Sequence, residues 1–140
     1  MIKKFQDEYR WLSNFEPVEV ELDGVKYPSV ENAYQAAKTL DLEERKQFET
    51  CTSLVAKIRG KNLVMWSLWD SAKLLVMYNI CRQKYAQEPY KTLLLETGDQ
   101  ELQEGNWWGD VYWGVCRGQG ENNLGKLIMK IRNDLRKHHG

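Results

Sequence analysis

The chain has 140 residues, enough for one domain with a real core and too few for two comfortable ones. Twenty basic residues balance twenty acidic ones, so the formal net charge is zero and no global field favours a dedicated nucleic-acid binder. No early apolar run resembles a signal peptide and no apolar stretch is long enough to cross a bilayer, so a cytoplasmic protein without membrane association is expected. Cys51, Cys81 and Cys116 are odd in number and lack a Cys-x-x-Cys pair, which speaks against a disulfide framework or a zinc site.

In chain order, Ile2–Phe5 reads as a short strand, and Tyr9–Phe15 fits neither period and reads as a loop. Val18–Leu22 alternates with period two, and Asp23-Gly24 before Val25–Tyr27 is the two-residue hairpin signal. Pro28 and Ser29 stop the strand, with Ser29 as cap of a helix over 30–40 whose alanines at 33, 36 and 37 allow close packing. Asp41-Leu-Glu-Glu44 has capping-box spacing and starts a helix to about Thr50; a third helix runs from Ser53 to its terminator Gly60. Ser67 caps a long helix to about Gln87, with Trp69, Ala72, Leu75, Val76, Ile80 and Lys84 as its inward stripe.

Pro89 opens a helix over Tyr90–Thr97 that Gly98 ends. Glu101–Glu104 reads as a strand pairing with Val111–Trp113, and the last helix carries Leu124, Leu127, Ile128, Ile131 and Leu135 on one face. The sum is an α+β fold: a single compact, helix-dominated domain over residues 1–140 with a small antiparallel sheet.

Two places hold candidate chemistry. Glu31, Tyr34 and Lys38 stand at i, i+3 and i+7, so on a helix to Leu40 they share one face, either a solvated stripe or a reactive one. The second place is Asp110–Gly125. Gly114, Gly118 and Gly120 permit turns, Asn122 is a cap candidate, and the first N–H groups of the following helix are open donors for a phosphate. An ordinary loop before a capped helix would look the same. Trp107, Trp108, Tyr112 and Trp113 beside Asp110 favour a pocket that stacks a ring and orients its hydroxyls.

The only histidines, His138 and His139, end the chain and suit a helix C-terminus rather than a catalytic triad. With no His-x-x-His and no acidic cluster, neither metal nor other cofactor is expected. Carboxylate, lysine and aromatic groups remain, an inventory suited to cleaving a glycosidic bond.

Four blocks, Tyr9–Phe15, Tyr27–Lys38, Asp110–Gly114, and Gly118–Gly125 with Ile128–Arg132, together resemble the NADAR (YbiA-like) family in order and spacing. The resemblance implies an α+β fold, a pocket for ribosyl phosphates, and N-glycosidase activity on phosphorylated riboflavin-pathway intermediates or on ADP-ribose attached to guanine in nucleic acid. It points to Glu31, Lys38 and Asp110 as catalytic. Trp69, Trp113, Gly114, Asn122 and Gly125 would hold substrate, with Ser13 and Asn14 facing the same pocket. Asn32 stands where many relatives have His, and Leu68 where an acid is common, which puts the substrate more than the reaction in doubt.

The expected partner is a small nucleotide or ADP-ribosyl substrate, free or attached to nucleic acid through a local patch such as Lys57, Arg59 and Lys61, with no obligate protein partner. The competing reading is an ADP-ribose-binding module without turnover.

Overall fold

The computed structural model describes residues 1–139, with side chains through His138. By its contacts the chain divides into two compact units, Asn14–Lys84 and Met1–Ser13 with Tyr85–Gly140.

The Asn14–Lys84 unit begins with the expected hairpin. Strands β1 (Pro17–Leu22) and β2 (Val25–Ser29) pair antiparallel, with Val20 opposite Tyr27 and Leu22 opposite Val25. Asp23 and Gly24 both take positive φ, at 51° and 82°, as the tight turn with right-handed twist requires. Val18, Val20 and Tyr27 turn inward. Ser29 ends β2 and caps helix α1 (Val30–Ala36) by accepting the Asn32 N–H.

Helix α1 is shorter than expected, because the chain tightens after Ala36. The N–H groups of Lys38 and Thr39 donate to the carbonyls of Gln35 and Ala36, three residues back. Thr39 then anchors the next segment through bonds to the Asp41 N–H and Glu44, and its carbonyl accepts from Arg45. Asp41 caps α2 (Leu42–Lys46) as predicted, but that helix stops well before Thr50. Helix α3 (Ser53–Gly60) has the expected span, with Thr52 as its cap. Gly60 serves close packing rather than termination, since Lys61 is the C-cap.

Helix α4 (Trp69–Tyr85) starts after a turn that contains Ser67. Its buried stripe is Trp69, Met77, Ile80, Cys81 and Lys84. Leu75, expected inside, is 64% exposed, while Met77 and Cys81 lie buried.

The other unit differs most from expectation. Ile2–Phe5 is no strand: Ile2 makes one parallel bridge to Leu102, and Asp7, at φ 56°, turns the chain into a 3₁₀ helix, Asp7–Leu12, where a loop was expected. The predicted pairing of 101–104 with 111–113 does not form. Asp110 Oδ1 accepts the N–H groups of Tyr112 and Trp113, taking donors that a ladder would use. Pairing moves to β3 (Gly105–Asn106) and β4 (Val115–Cys116), which run parallel.

Helix α5 (Tyr90–Glu96) ends near Gly98, whose φ is 63°, and packs on α6 (Asn123–His139). Leu124, Leu127, Ile128 and Ile131 of α6 are buried and Leu135 partly so, as its periodicity predicts. The α+β class with a small antiparallel sheet therefore holds.

Asn32 is fully buried and its amide is spent on structure. Nδ2 donates to the carbonyls of Phe48 and Cys51 at 2.8 Å each, and Oδ1 accepts from Ser29 Oγ at 2.6 Å. Asn32→Ala should strand the buried Phe48 carbonyl and the half-buried Cys51 carbonyl and cost about 1–3 kcal/mol for the buried group left unpaired, read as a lower Tm and urea midpoint. A thermally unchanged variant would show that these bonds carry no net stability.

Candidate functional site

Every residue of α1 is buried, including Glu31, Asn32 and Gln35. Such a helix is costly unless most of its polar groups find partners, because an unpaired buried polar group or charge costs free energy. The Glu31 N–H donates to the Asn14 carbonyl at 3.1 Å, and Glu31 Oε1 accepts Gln35 Nε2 at 2.8 Å. Asn14 in turn places its amide against Met77 Sδ and Cys81 Sγ of α4.

Lys38 lies past the helix end, so the strict i, i+3, i+7 argument fails, yet the three residues still meet. Lys38 Nζ stands 5.5 Å from the centroid of the Tyr34 ring. Tyr34 packs on Trp69 at 5.3 Å between centroids, tilted by 52°. Trp69 is itself buried, so it backs Tyr34 rather than offering an open face for a ligand. Trp66, which the sequence did not single out, secures the lysine's backbone: its N–H donates to the Lys38 carbonyl and its Nε1 to that of Ala37.

Burial pulls the Lys38 ammonium below the usual lysine range; the Glu31 charge acts against that shift and the Lys73 charge adds to it.

Gln35 was also overlooked, although a Gln one helical turn after a Glu is a recognisable pair.

The proposed basic patch is partly committed. Arg59 Nη1 donates to the Gln47 carbonyl and Lys57 Nζ sits 5.9 Å over the Phe15 ring, while Lys61 is exposed.

In the other unit, Asp110, Tyr112 and Trp113 form a tight turn. Asp110 Oδ1 holds two backbone N–H groups, and Tyr112 and Trp113 meet edge to face at 4.8 Å. Asn106 clasps the same turn, donating to the Asp110 carbonyl and accepting from its N–H. One oxygen of Asp110 is therefore structural, which weakens the expectation of a catalytic role. Ser13 closes the 3₁₀ helix through its N–H.

The glycines allow backbone to approach backbone. A Cβ on Gly114 would fall 2.1 Å from the Glu104 carbonyl oxygen, and one on Gly125 2.2 Å from that of Leu102. Gly120, at φ 148°, lies equally close to the Gly114 carbonyl.

The expected open donors at the start of α6 are largely taken. The N–H groups of Asn122, Asn123 and Leu124 bond the carbonyls of Gly114, Tyr112 and Trp113. Nor does the Asn122 side chain cap the helix, since it accepts the Glu104 N–H and donates to Leu102. A phosphate cradle at these three donors is thus corrected to a backbone clasp. Gly118 instead edges a depression of about 360 Å³ that Lys3, Lys4, Asn106, Trp107 and Arg117 also line. It is open and cationic.

Among the described residues no group of three His, Cys, Asp or Glu side chains could share a metal ion, and no helix is long and apolar enough to cross a membrane. Asn32, where many relatives were expected to carry His, is a structural clasp, and Leu68 is exposed.

The fold is thus a small α+β domain carrying a buried carboxylate, a half-buried lysine and a buried aromatic pair. The model of the NADAR domain matches residues 2–136 and so runs through both units; the chain belongs to this family. It is 35% identical over 134 residues to the N-glycosidase YbiA of Shigella boydii serotype 4 (strain Sb227), covering 92% of this chain and 83% of that protein. A riboflavin biosynthesis protein of Vibrio vulnificus (strain YJ016) is 31% identical over 94% of this chain but only 37% of its own length. The solved NMR structure of the Escherichia coli protein YbiA superposes with a TM-score of 0.85 at 31% identity, covering 99% of this chain and 89% of that one.

Lys84 offers a check on the electrostatics of α4. Burial pushes its ammonium down to about 8 from 10.5, against the pull of Cys81 and Glu16, and burial pushes the Cys81 thiol up to about 12 from 9.0. Between pH 8 and 9 the unfolded chain keeps a proton on Lys84 that the folded chain loses, so this lysine makes stability rise with pH. From pH 9 the unfolded Cys81 ionises first and opposes the rise. Urea unfolding should therefore show a gain over pH 8–9 that Lys84→Met removes, and Cys81→Ala should extend the gain towards pH 10.5. The same slope in the Lys84→Met protein would refute the assignment.

Proposed function

We propose that this protein hydrolyses a ribosyl N-glycosidic bond without a metal, and that Glu31 and Lys38 are its reactive groups. The observation that carries the reading is the buried Glu31 carboxylate of α1, electrostatically coupled to Lys38, which stands over the Tyr34 ring. N-glycosidase relatives at about a third identity over most of both chains support the reaction class.

As the base departs with the bonding electrons, positive charge grows at the anomeric carbon. A carboxylate held in a low-dielectric site is placed to stabilise that charge or guide the attacking water. Lys38, as a cation, binds a phosphate of the substrate; as a neutral amine it would attack an opened ribose. The first role is the one we assign. We read residues 1–140 as one functional domain, because the family match runs through both units. Asn14, Tyr34 and Trp69 shape the site around Glu31; Ser13, Trp113, Gly114, Gly118, Gly120, Asn122 and Gly125 remain proposed substrate contacts or supports. We place the protein in the cytoplasm, where its free thiols would stay reduced.

Incubation with a phosphorylated ribosylaminopyrimidine and with an ADP-ribosylated guanine oligonucleotide, followed by mass spectrometry, tests the reaction. Release of free base is expected from one of them. Tight binding with no release from either would favour the ADP-ribose-binding module instead.

Glu31→Gln keeps shape and removes charge, and kcat should fall about a hundredfold or more. A folded Glu31→Gln protein with normal turnover would remove Glu31 from the chemistry. Lys38→Ala should mainly raise KM if the lysine clamps phosphate. Collapse of kcat with KM kept, together with borohydride trapping of substrate on Lys38, would establish the amine role.

One observation favours substrate carried on nucleic acid. The 360 Å³ depression is lined by Lys3, Lys4 and Arg117 with exposed Trp107, and no carboxylate lines it. On that reading, added salt should depress turnover of the oligonucleotide more steeply than that of the small nucleotide. Equal salt responses would exclude the groove from substrate binding.

A further inference from the structure

Gln35 lies one helical turn after Glu31, is 5% exposed, and donates Nε2 to Glu31 Oε1 at 2.8 Å. Its own Oε1 is buried and has no partner among the described residues. Leaving a buried amide oxygen unsatisfied costs free energy, so the arrangement needs a reason. Turning the amide over would give none, because Oε1 would then face the Glu31 carboxylate, acceptor against acceptor. The carboxylate dictates how the amide points.

The oxygen instead rests against the backbone of Gly60 in α3. A Cβ at position 60 would lie 1.9 Å from Gln35 Oε1 and 2.6 Å from Cδ. Gly60 is the last residue of α3 and is buried, and its φ is not positive, so no left-handed turn calls for glycine there. Room for the Gln35 amide accounts for the missing side chain.

We propose that Gln35 is the positioning residue of the Glu31 carboxylate and that Gly60 keeps open the space in which its amide stands. The proposal rests on the reading of Glu31 as the group that meets the reacting carbon. A glutamate has three side-chain torsions, and pinning Oε1 from one turn away fixes the plane of the carboxylate before substrate arrives. Preorganisation of this kind costs nothing at the moment of reaction.

Two variants test it, Gln35→Met, which keeps the chain length and removes the donor, and Gly60→Ala, which displaces the amide while altering neither Gln35 nor Glu31. Each should lower kcat by about tenfold to a hundredfold, the usual result of a small misplacement at a reacting centre, with KM kept. Gly60→Ala crowds a buried amide and should also lower the Tm, so kcat is compared well below it; loss of kcat with KM kept in the folded variant is what a merely structural role would not produce. Added to Glu31→Gln, Gly60→Ala should cause no further loss. Wild-type kcat in both variants, with Glu31→Gln inactive, would overturn the positioning role and leave the Glu31 assignment standing; an active Glu31→Gln would instead defeat that assignment.

A readout that needs no substrate is the Gln35 side-chain NH₂ resonance, assigned by its loss in Gln35→Met. Its protons should exchange slowly with solvent, and protection should be lost in Glu31→Ala and in Gly60→Ala. Exchange at the rate of an exposed glutamine in the unaltered protein would overturn the proposal whatever the kinetics show. Should Gln35→Met fail to fold, Gly60→Ala decides by both readouts.

Discussion

The hydrogen bond between Gln35 and Glu31 is the sharpest case of the constraint on which the Asn14–Lys84 unit depends: a short helix buried over its whole length while carrying polar residues. Seven residues cannot sustain a helix in water, since nucleation is not recovered over so few bonds. Packing must hold it, and Ala33, Ala36 and Ala37 let neighbouring elements approach. That closeness then demands that polar groups be answered from nearby, and the Gln35 Oε1 oxygen is the one on this helix left without a partner among the described residues. Ser29, Phe48 and Cys51 answer Asn32, the Asn14 carbonyl answers the Glu31 N–H, and Gln35 answers the carboxylate. The hairpin, α3 and the segment from α2 through Cys51 are thus partly scaffolding for one helix.

The unit of Met1–Ser13 and Tyr85–Gly140 solves a different problem. Its central stretch has almost no regular structure, yet its buried backbone groups must still be paired. Side chains and glycines do this work. Asn106 and Asp110 bind the aromatic turn, Asn122 bridges the backbone of Leu102 and Glu104, and the carbonyls of Tyr112–Gly114 satisfy the first donors of α6. Gly114 and Gly125 permit these approaches because any Cβ would strike a carbonyl. Glycine and asparagine in such a motif need not signal an anion site. Here the same residues that resemble a phosphate cradle satisfy the protein's own backbone.

The difference between the units explains what could be read from the sequence. The hairpin was legible because Asp23-Gly24 states its geometry locally, and α6 because its apolar period is long and unbroken. Glu31, Tyr34 and Lys38 were legible as a group, although the end of α1 at Ala36 was not: it depends on Thr39 bonding to Glu44 and Arg45, contacts with no local signature. The strand expected over 101–104 failed because an aspartate eight residues beyond Leu102 claimed the opposing donors. The pairing of Gly60 with Gln35 spans 25 positions, and nothing in either neighbourhood announces it. Residues that support a site through another element are the least visible from one sequence.

The charge state of Lys38 is set by opposing influences, of which burial is the largest. Burial favours the neutral amine, and the nearby positive charge of Lys73 acts in the same direction; the Glu31 charge alone resists. Lys73 is itself tied to Asp70 at 3.4 Å, in a pair whose aspartate is largely exposed, so solvent screens part of its effect. A phosphate arriving beside Nζ would add negative charge to the side already held by Glu31 and raise the ammonium's proton affinity further. On the proposed reading, substrate binding would therefore stabilise the cation, and the resting depression of Lys38 does not by itself make it a nucleophile. In the proposed clamp role the lysine would hold its charge best with phosphate bound, whereas an amine role would require the phosphate to stay distant while the ribose came near.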